Sequence, residues 1–409
     1  MKAIILAIGD ELISGQTVDT NSAYLSRRLA ERGVETVEHR TVGDDKERIA
    51  SAIAEAAGRV EIVVVSGGLG PTEDDLTRQA MADAMGCELQ LNAECLADIE
   101  EFFRLRNRKM SPPNRAQAMI PTSAEPMRNK LGTAPGIAAR IGAAQVFIVP
   151  GVPAEMKWMY DNCIAPRLPA GEGVILHHVV HTFGEGESDV GAKIADLMKR
   201  GSKPTVGTTV AAGMVSVRII SRGRTTEDAR LQADLTVKTL YERLGNLIVG
   251  KGDATMPSAA GELLRKRGQT LATAESCTGG LIGEMVTSVS GSSDYYLGGF
   301  VTYSNRLKRD LLGVSEELLA RHGAVSEQVA IAMAEGCRQK LGSDWAIGVT
   351  GIAGPAGGSA EKPVGLVYVA LAGPEGTQVF RHVFPGARDM VRLRSALAAM
   401  NCLRLALLR

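Results

Sequence analysis

The sequence predicts an α/β protein built from three units. Short β-rich runs alternate with amphipathic stretches over the first 165 or so residues, and again from Ser258 to Arg409. Such alternation predicts parallel strands with helices covering both faces of a sheet. Residues ~170–250 lack the alternation and read as a small α+β unit. A chain of 409 residues accommodates these units at roughly 100–200 residues each. The expected domains are 1–168, 169–250 and 251–409.

Lys2–Ile8 is almost wholly apolar and predicts a buried strand, and Asn21–Arg32 predicts a helix closed by Gly33. Glu35–Val42 follows as a strand and Lys46–Ala57 as a helix closed by Gly58. Glu61–Ser66 is a strand of Ile-Val-Val-Val type, and Glu73–Met85 a helix ending at Gly86. Gln145–Val149 is a strand that runs into a Pro-Gly-Val-Pro turn and a helix. In the middle unit Val174–Phe183 and Met214–Ile220 predict strands, while Ser188–Lys199 and Thr226–Leu244 predict helices. Asn246–Pro257 reads as a linker because of its Gly, Asp and Pro punctuation. The last unit opens with a helix at Ala259–Lys266 and strands at Thr270–Ala274 and Trp345–Val349. It closes with a long helix, Asp389–Leu407, whose apolar residues include Val391, Leu393, Leu397, Met400 and Leu403.

Composition narrows the function. Lys+Arg and Asp+Glu both number 46, so the chain lacks the basic footprint of a nucleic-acid binder. Aromatic residues are 4%, too few for base-stacking platforms. The six cysteines show no CxxC spacing and predict a reduced, cytoplasmic protein rather than a disulfide framework. No segment reads as a leader peptide or a membrane span, so no membrane partner is expected. Glycine is abundant, at 46 residues.

Three glycine-rich turns carry the chemistry. In the first, Gly67, Gly68, Gly70 and Thr72 lie between a buried strand and a helix, a place where backbone approaches a phosphate closely. Asp74 and Asp75 are hard oxygen donors for a divalent ion, and Asp10 ends the first strand at the same sheet edge. Simple capping by Thr72 and Asp75 is the plain alternative. The run is neither a Walker A loop nor a dinucleotide fingerprint, which disfavours NAD-dependent redox chemistry.

The second turn, Glu275-Ser276-Cys277-Thr278-Gly279-Gly280, joins an apolar strand to a helix expected from Thr278. This is the layout of a nucleophile elbow without its usual glycine spacing. Ser276 needs a base, and Lys308 is the economical choice if burial lowers its pKa. Backbone N–H groups at the start of the helix would hold the oxyanion. Cys277 is a rival nucleophile. The plain reading is that Ser276 and Thr278 only cap the helix.

The third turn holds Thr350, Gly351 and Gly354, with Lys362 following, and could wrap a phosphate with backbone amides. Weaker signals are His177, His178 and His181, of which only two share a strand face, and the basic run Arg104, Arg106, Arg108 and Lys109.

These motifs together resemble the CinA family (competence/damage-inducible protein A) along essentially the whole chain. The N-terminal half carries GDELISGQTVDTNS at 9–22, SGGLGPTEDDLT at 66–77, NRAQAMIP at 114–121, NKLGTAPG at 129–136 and PGVPAEM at 150–156. The C-terminal part carries AESCTGG at 274–280, GGFVTYSNRLK at 298–308, HGAVSE at 322–327 and TGIAGPAGGSAEKPVG at 350–365. The resemblance implies a molybdopterin-binding-like three-layer α/β/α domain, a KH-type α+β domain and a C-terminal α/β nicotinamide mononucleotide deamidase domain. It implies hydrolysis of nicotinamide mononucleotide to nicotinate mononucleotide and ammonia, with Ser276 as nucleophile, Lys308 as base and Tyr303 nearby. It also implies a metal-dependent ADP-ribose pyrophosphatase in the N-terminal domain, using Mg²⁺, Mn²⁺ or Co²⁺ with K⁺ as a candidate companion. No cofactor is implied for the deamidase, and a homodimer is implied for the chain. Rival readings are a non-catalytic nucleotide-sensing scaffold, or an N-terminal domain that handles pterin or FAD. Two departures stand out: Ser66 where threonine is common, and Ala387 where an acidic or amide residue often precedes the last helix.

Overall fold

The computed structural model describes residues 1–168 and 173–409. The expected junction at 168/169 abuts residues outside that description, so the start of the middle domain at 169 lies outside the described residues.

The first region contains β1 (Lys2–Ile8), β2 (Glu35–Val42), β3 (Ile62–Ser66), β4 (Leu89–Leu91), β5 (Met119–Pro121), β6 (Glu125–Met127), β7 (Gly136–Ile141) and β8 (Ala144–Val149). Six of them form one sheet in the order β2-β1-β3-β8-β7-β6. The β1, β2, β3 and β8 pairings are parallel, whereas β8–β7 and β7–β6 are antiparallel, so the sheet is mixed rather than all-parallel. The reason is local: Ile141 and Ala144 are separated by a tight turn, with Gly142 in the left-handed region, and a turn that short permits only an antiparallel return. Alternate residues of the central strands feed two cores. Ile4, Leu6, Val63 and Val65 pack with the helix Lys46–Ala57, while Ala3, Ile5, Ile62 and Val64 pack with the helices Thr20–Ala30 and Pro153–Met159. Period-2 alternation on a doubly covered sheet makes three layers.

The middle region contains β9 (Val174–Phe183), β10 (Thr205–Ala211), β11 (Met214–Gly223) and β12 (Ile248–Lys251), in the order β10-β11-β9-β12. The expected linker is therefore in part a strand, with Ile248 opposite Thr182 and Lys251 opposite Val180. Buried Arg404 fixes its approach by donating to the carbonyls of Ile248 (2.8 Å) and Asn246 (2.6 Å). The helix expected at Ser188–Lys199 is shorter, Glu187–Lys193.

The C-terminal region contains β13 (Leu271–Glu275), β14 (Tyr296–Val301), β15 (Trp345–Gly351), β16 (Leu366–Gly373) and β17 (Gly376–Val383), in the order β14-β13-β15-β16-β17. β13 is parallel to both neighbours, and β15, β16 and β17 run antiparallel in turn. One face carries the helices Met256–Arg267 and Arg388–Leu407, the other the helix Glu327–Leu341. By contacts the described chain divides into two compact units, one of residues 1–177 with 220–234 and the other of 178–219 with 235–409. No helix among the described residues is long and apolar enough to cross a membrane.

Candidate active site

The C-terminal sheet delivers a nucleophile and a base to one spot. β13 ends at Glu275, and the next residue, Ser276, is held by its N–H on the carbonyl of Val349 at 3.0 Å. Beside it, β14 ends at Val301, and Thr302 N–H donates to the Glu275 carbonyl at 2.8 Å. The chain then enters a helix, Asn305–Leu312, capped by the Ser304 hydroxyl on Leu307 N–H. Lys308 sits one turn into that helix and points back into the domain. Its Nζ lies 3.0 Å from Ser276 Oγ and 2.8 Å from the Thr302 carbonyl.

Lys308 is 1% exposed and Ser276 8%. Burial holds the Lys308 ammonium below the ordinary lysine range, with the Cys277 thiol as the weaker opposing influence. A lysine depressed in this way accepts a proton from a neighbouring hydroxyl, as a base must. Cys277 also lines the cavity beside Ser276 and Lys308. It is buried in the apolar core, and burial pushes its thiol up to about 12. A thiol that stays protonated is a poor nucleophile, so the rival role does not suit it.

Ser276, Lys308, Tyr303, Thr350, Gly351 and Gly354 line a single cavity of about 280 Å³, together with Arg388. Tyr303 is 61% exposed, and its hydroxyl accepts a 3.0 Å bond from Arg388. Arg388 also donates to the Gly354 carbonyl at 2.7 Å, so it ties the third glycine turn to the tyrosine. A neighbouring cleft of about 470 Å³ shares Gly354 and Arg388 and adds Arg392. The last helix starts from Ala387 with no side-chain cap, and its first residue is this arginine.

Several expected ligand contacts are structural instead. Lys362 does not face the cavity: its ammonium donates to the carbonyls of His322 and Val325, both at 2.8 Å. Thr350 Oγ1 donates to the Ala324 carbonyl at 2.7 Å. A side chain at Gly351 would meet Leu366 O and the Val367 side chain at 2.7 Å, so glycine is needed there for strand packing. The helix expected from Thr278 begins at Leu281, and its leading N–H groups are taken. Glu275, 1% exposed, accepts from Gly280 and Ile282 on one carboxyl oxygen and from Gly283 on the other. The helix start is therefore not a free oxyanion site. Thr278 is fully buried with an unpartnered hydroxyl, and Gly279 N–H closes the turn onto the Ser276 carbonyl. Glu275 and Arg392 were missed because nothing in their spacing marks them.

The first glycine turn leaves β3 at Ser66. Gly67 has φ 113° and lies so near β1 that a side chain would strike the Ile8 carbonyl at 2.3 Å. Gly68 packs equally tightly on Thr77. The helix expected from Glu73 begins only at Thr77, because Asp75 folds back to accept from Gly70 N–H (2.7 Å) and Thr72 N–H (2.9 Å). Buried Arg78 adds bonds to the carbonyls of Leu69 and Gly70, both 2.7 Å. Asp75 and Thr72 are thus spent on the turn itself. Asp10 and Asp44 each accept from the other's backbone N–H, at 3.1 and 2.9 Å. Burial and the carboxylates of Asp10, Glu11 and Asp74 raise the Asp44 pKa. Among the described residues no three His, Cys, Asp or Glu side chains converge as a metal site. The donor set Asp10, Asp74 and Asp75 does not fit a bound ion as arranged. In the middle domain His181 lies between Ser216 Oγ and the Gly252 carbonyl, each at 2.8 Å.

Residues 4–170 match the family described as "Probable molybdopterin binding domain", 177–250 the KH domain of damage-inducible protein CinA, and 253–407 the CinA C-terminal domain. The chain is 43% identical over 411 residues to a CinA-like protein of Geobacter sulfurreducens, covering all of both chains. It is 42% identical over 412 residues to a CinA-like protein of a Synechococcus species, covering 98% of each. A solved structure, competence/damage inducible protein CihA from Agrobacterium tumefaciens, is 43% identical, with 38% of this chain and 94% of that chain covered and a TM-score of 0.36. With these motifs in order and relatives matched end to end, the chain belongs to the CinA family.

Proposed function

We propose that the C-terminal domain hydrolyses the carboxamide of nicotinamide mononucleotide, giving nicotinate mononucleotide and ammonia. The observation that carries this reading is the 3.0 Å contact between the buried Lys308 amine and Ser276 Oγ at the wall of a cavity. Neutral Lys308 takes the Ser276 hydroxyl proton as Oγ bonds to the amide carbon. Electrons move onto the carbonyl oxygen, then return as the C–N bond breaks. The Lys308 proton passes to the departing nitrogen, which leaves as ammonia. Water then attacks the acyl-serine, giving a proton to Lys308, which returns it to Ser276 Oγ as the acyl C–O bond breaks and the acid departs. The positive pyridinium ring makes the carboxamide more electrophilic. Arg388, on the cavity wall, and Arg392, in the adjoining cleft and bonded to the Thr278 carbonyl at 2.7 Å, supply positive charge that suits the phosphate of a mononucleotide.

The test is purified protein with nicotinamide mononucleotide, measuring ammonia and nicotinate mononucleotide, beside Ser276→Ala and Cys277→Ala. Product lost with Ser276→Ala and kept with Cys277→Ala supports the assignment. The reverse pattern sinks it.

For the N-terminal domain we propose a nucleotide site of the ADP-ribose class at the backbone cradle of Gly67–Gly70. A binding-only role is favoured by one observation: Asp75, one of the expected metal donors, and Arg78 are already spent on the turn. Incubation with ADP-ribose, FAD and pterin side by side, each with Mg²⁺, Mn²⁺ or Co²⁺ and with chelator, decides between binding and pyrophosphatase action. Release of AMP that chelator abolishes would overturn the binding-only role.

A further inference from the structure

Glu275 is a buried acid that the proposed chemistry does not use. Its two carboxyl oxygens hold three backbone N–H groups, those of Gly280 (3.0 Å), Ile282 (3.1 Å) and Gly283 (2.9 Å). These bonds close the turn that begins at Ser276 onto the strand that precedes it. The same residue's carbonyl accepts from Thr302 N–H at 2.8 Å, and the Thr302 carbonyl accepts from Lys308 Nζ at 2.8 Å. Lys308 Nζ in turn meets Ser276 Oγ. The contacts form a ring: Glu275 to Thr302, Thr302 to Lys308, Lys308 to Ser276, and back along the chain to Glu275. Glu275 thus grips the nucleophile's turn with its side chain and the base's anchor with its backbone.

We infer that Glu275 is the positioning residue of the Ser276–Lys308 pair. The inference rests on the serine–lysine amidase reading.

The test uses the full chain with Glu275→Ala, Glu275→Gln and, as control, Glu284→Gln, an exposed acid in the same helix turn. Three readouts run together: kcat and KM for nicotinamide mononucleotide, thermal midpoint, and the rate at which a fluorophosphonate labels Ser276, located by mass spectrometry. Displacing reacting groups by about 1 Å costs on the order of 100-fold, so Glu275→Ala should lower kcat and the labelling rate by about that factor. KM should stay within about threefold, because the loss falls on the transition state. Glu275→Gln keeps one acceptor oxygen and should lose about tenfold, by the same geometric argument. Glu284→Gln should match wild type. If Glu275→Ala fails to fold, the Gln variant decides. A folded Glu275 variant with wild-type kcat and labelling rate overturns the inference, as does a rise in KM alone. If wild type is labelled but releases no ammonia, the substrate reading fails and the labelling rates still decide on Glu275. If wild type is neither labelled nor active, both readings fall.

Discussion

The turn after β3 and the turn after β13 occupy equivalent places, each just beyond the carboxyl end of a buried central strand. Their polar groups are spent differently. In the first, Asp75, Thr72 and Arg78 bond to the turn itself and leave a rigid backbone cradle. In the second, Glu275 does the bracing from within the strand and Arg392 from the last helix, through the Thr278 carbonyl at 2.7 Å, and Ser276 and Lys308 are left facing each other at a cavity. A turn that satisfies itself can bind, whereas a turn braced from below keeps a reactive pair free. Desolvation sharpens the contrast: the buried Lys308 is pushed towards its neutral, basic form, while the buried Arg78 stays charged as a clamp because arginine deprotonates only far above neutral pH.

This contrast can be broken most forcefully at the reactive pair. Ser276→Ala and Lys308→Met should each lower kcat/KM for nicotinamide mononucleotide by about 1,000-fold or more, read by ammonia release. Lys308→Met should keep or raise the thermal midpoint, since it removes a buried amine that costs stability to desolvate. A lowered midpoint would show the lysine to be a structural tie first. Next is Arg388→Ala, which unties Tyr303 from Gly354 and should raise KM by about tenfold with a smaller change in kcat.

The first turn is sharpened by Arg78→Met. Removing the guanidinium strands two carbonyls and should cost about 2–4 kcal/mol in a urea midpoint. Ammonia release from nicotinamide mononucleotide, the proposed reaction, should be unaffected below the transition.

The pH profile comes next. Because burial depresses the Lys308 pKa, kcat/KM should rise with pH through that depressed value and level off before the ordinary lysine value near ~10.4. The same shift has a stability sign. Between the folded and unfolded pKa values the unfolded chain binds the extra proton, so stability should rise with pH across that window. Below the folded value the penalty of the buried charge is present in full. Lys308→Met should flatten this rise, measured by urea titrations at several pH values. The smallest effect is expected at Cys277, where Cys277→Ala should change kcat by no more than about twofold if the thiol is only packing.

Much of the fold was legible. Lys2–Ile8, Glu35–Val42 and Lys46–Ala57 fall where the sequence pattern put them: β1 is a continuous buried run in the sheet, β2 is its half-exposed edge strand, and the helix buries Ile49, Ala52, Ile53, Ala56 and Ala57. The errors cluster where side chains reach back to backbone. The helix after Gly67–Gly70 starts late because Asp75 turns around to the preceding N–H groups. The linker hides β12 because its strand character comes from pairing with β9 and from Arg404, 156 residues away from Ile248.

The candidate site divides along the same line. Ser276 stood out because a hydroxyl directly after an apolar strand is a local pattern, whereas Lys308 was singled out as the economical base and by the family resemblance, and its 3.0 Å approach to Ser276 is made by the tertiary fold. Lys362 was assigned to ligand because its neighbourhood is rich in glycine, yet its ammonium serves two carbonyls of another segment. Local order, the burial of strand faces and the chemistry of short motifs follow from residues a few positions apart, so the chain alone specifies them. Which carboxyl braces a turn, which lysine loses its water and which arginine reaches the cavity depend on partners from distant segments. Those choices are made only when the sheets close, because desolvation and hydrogen-bond satisfaction are properties of the packed site.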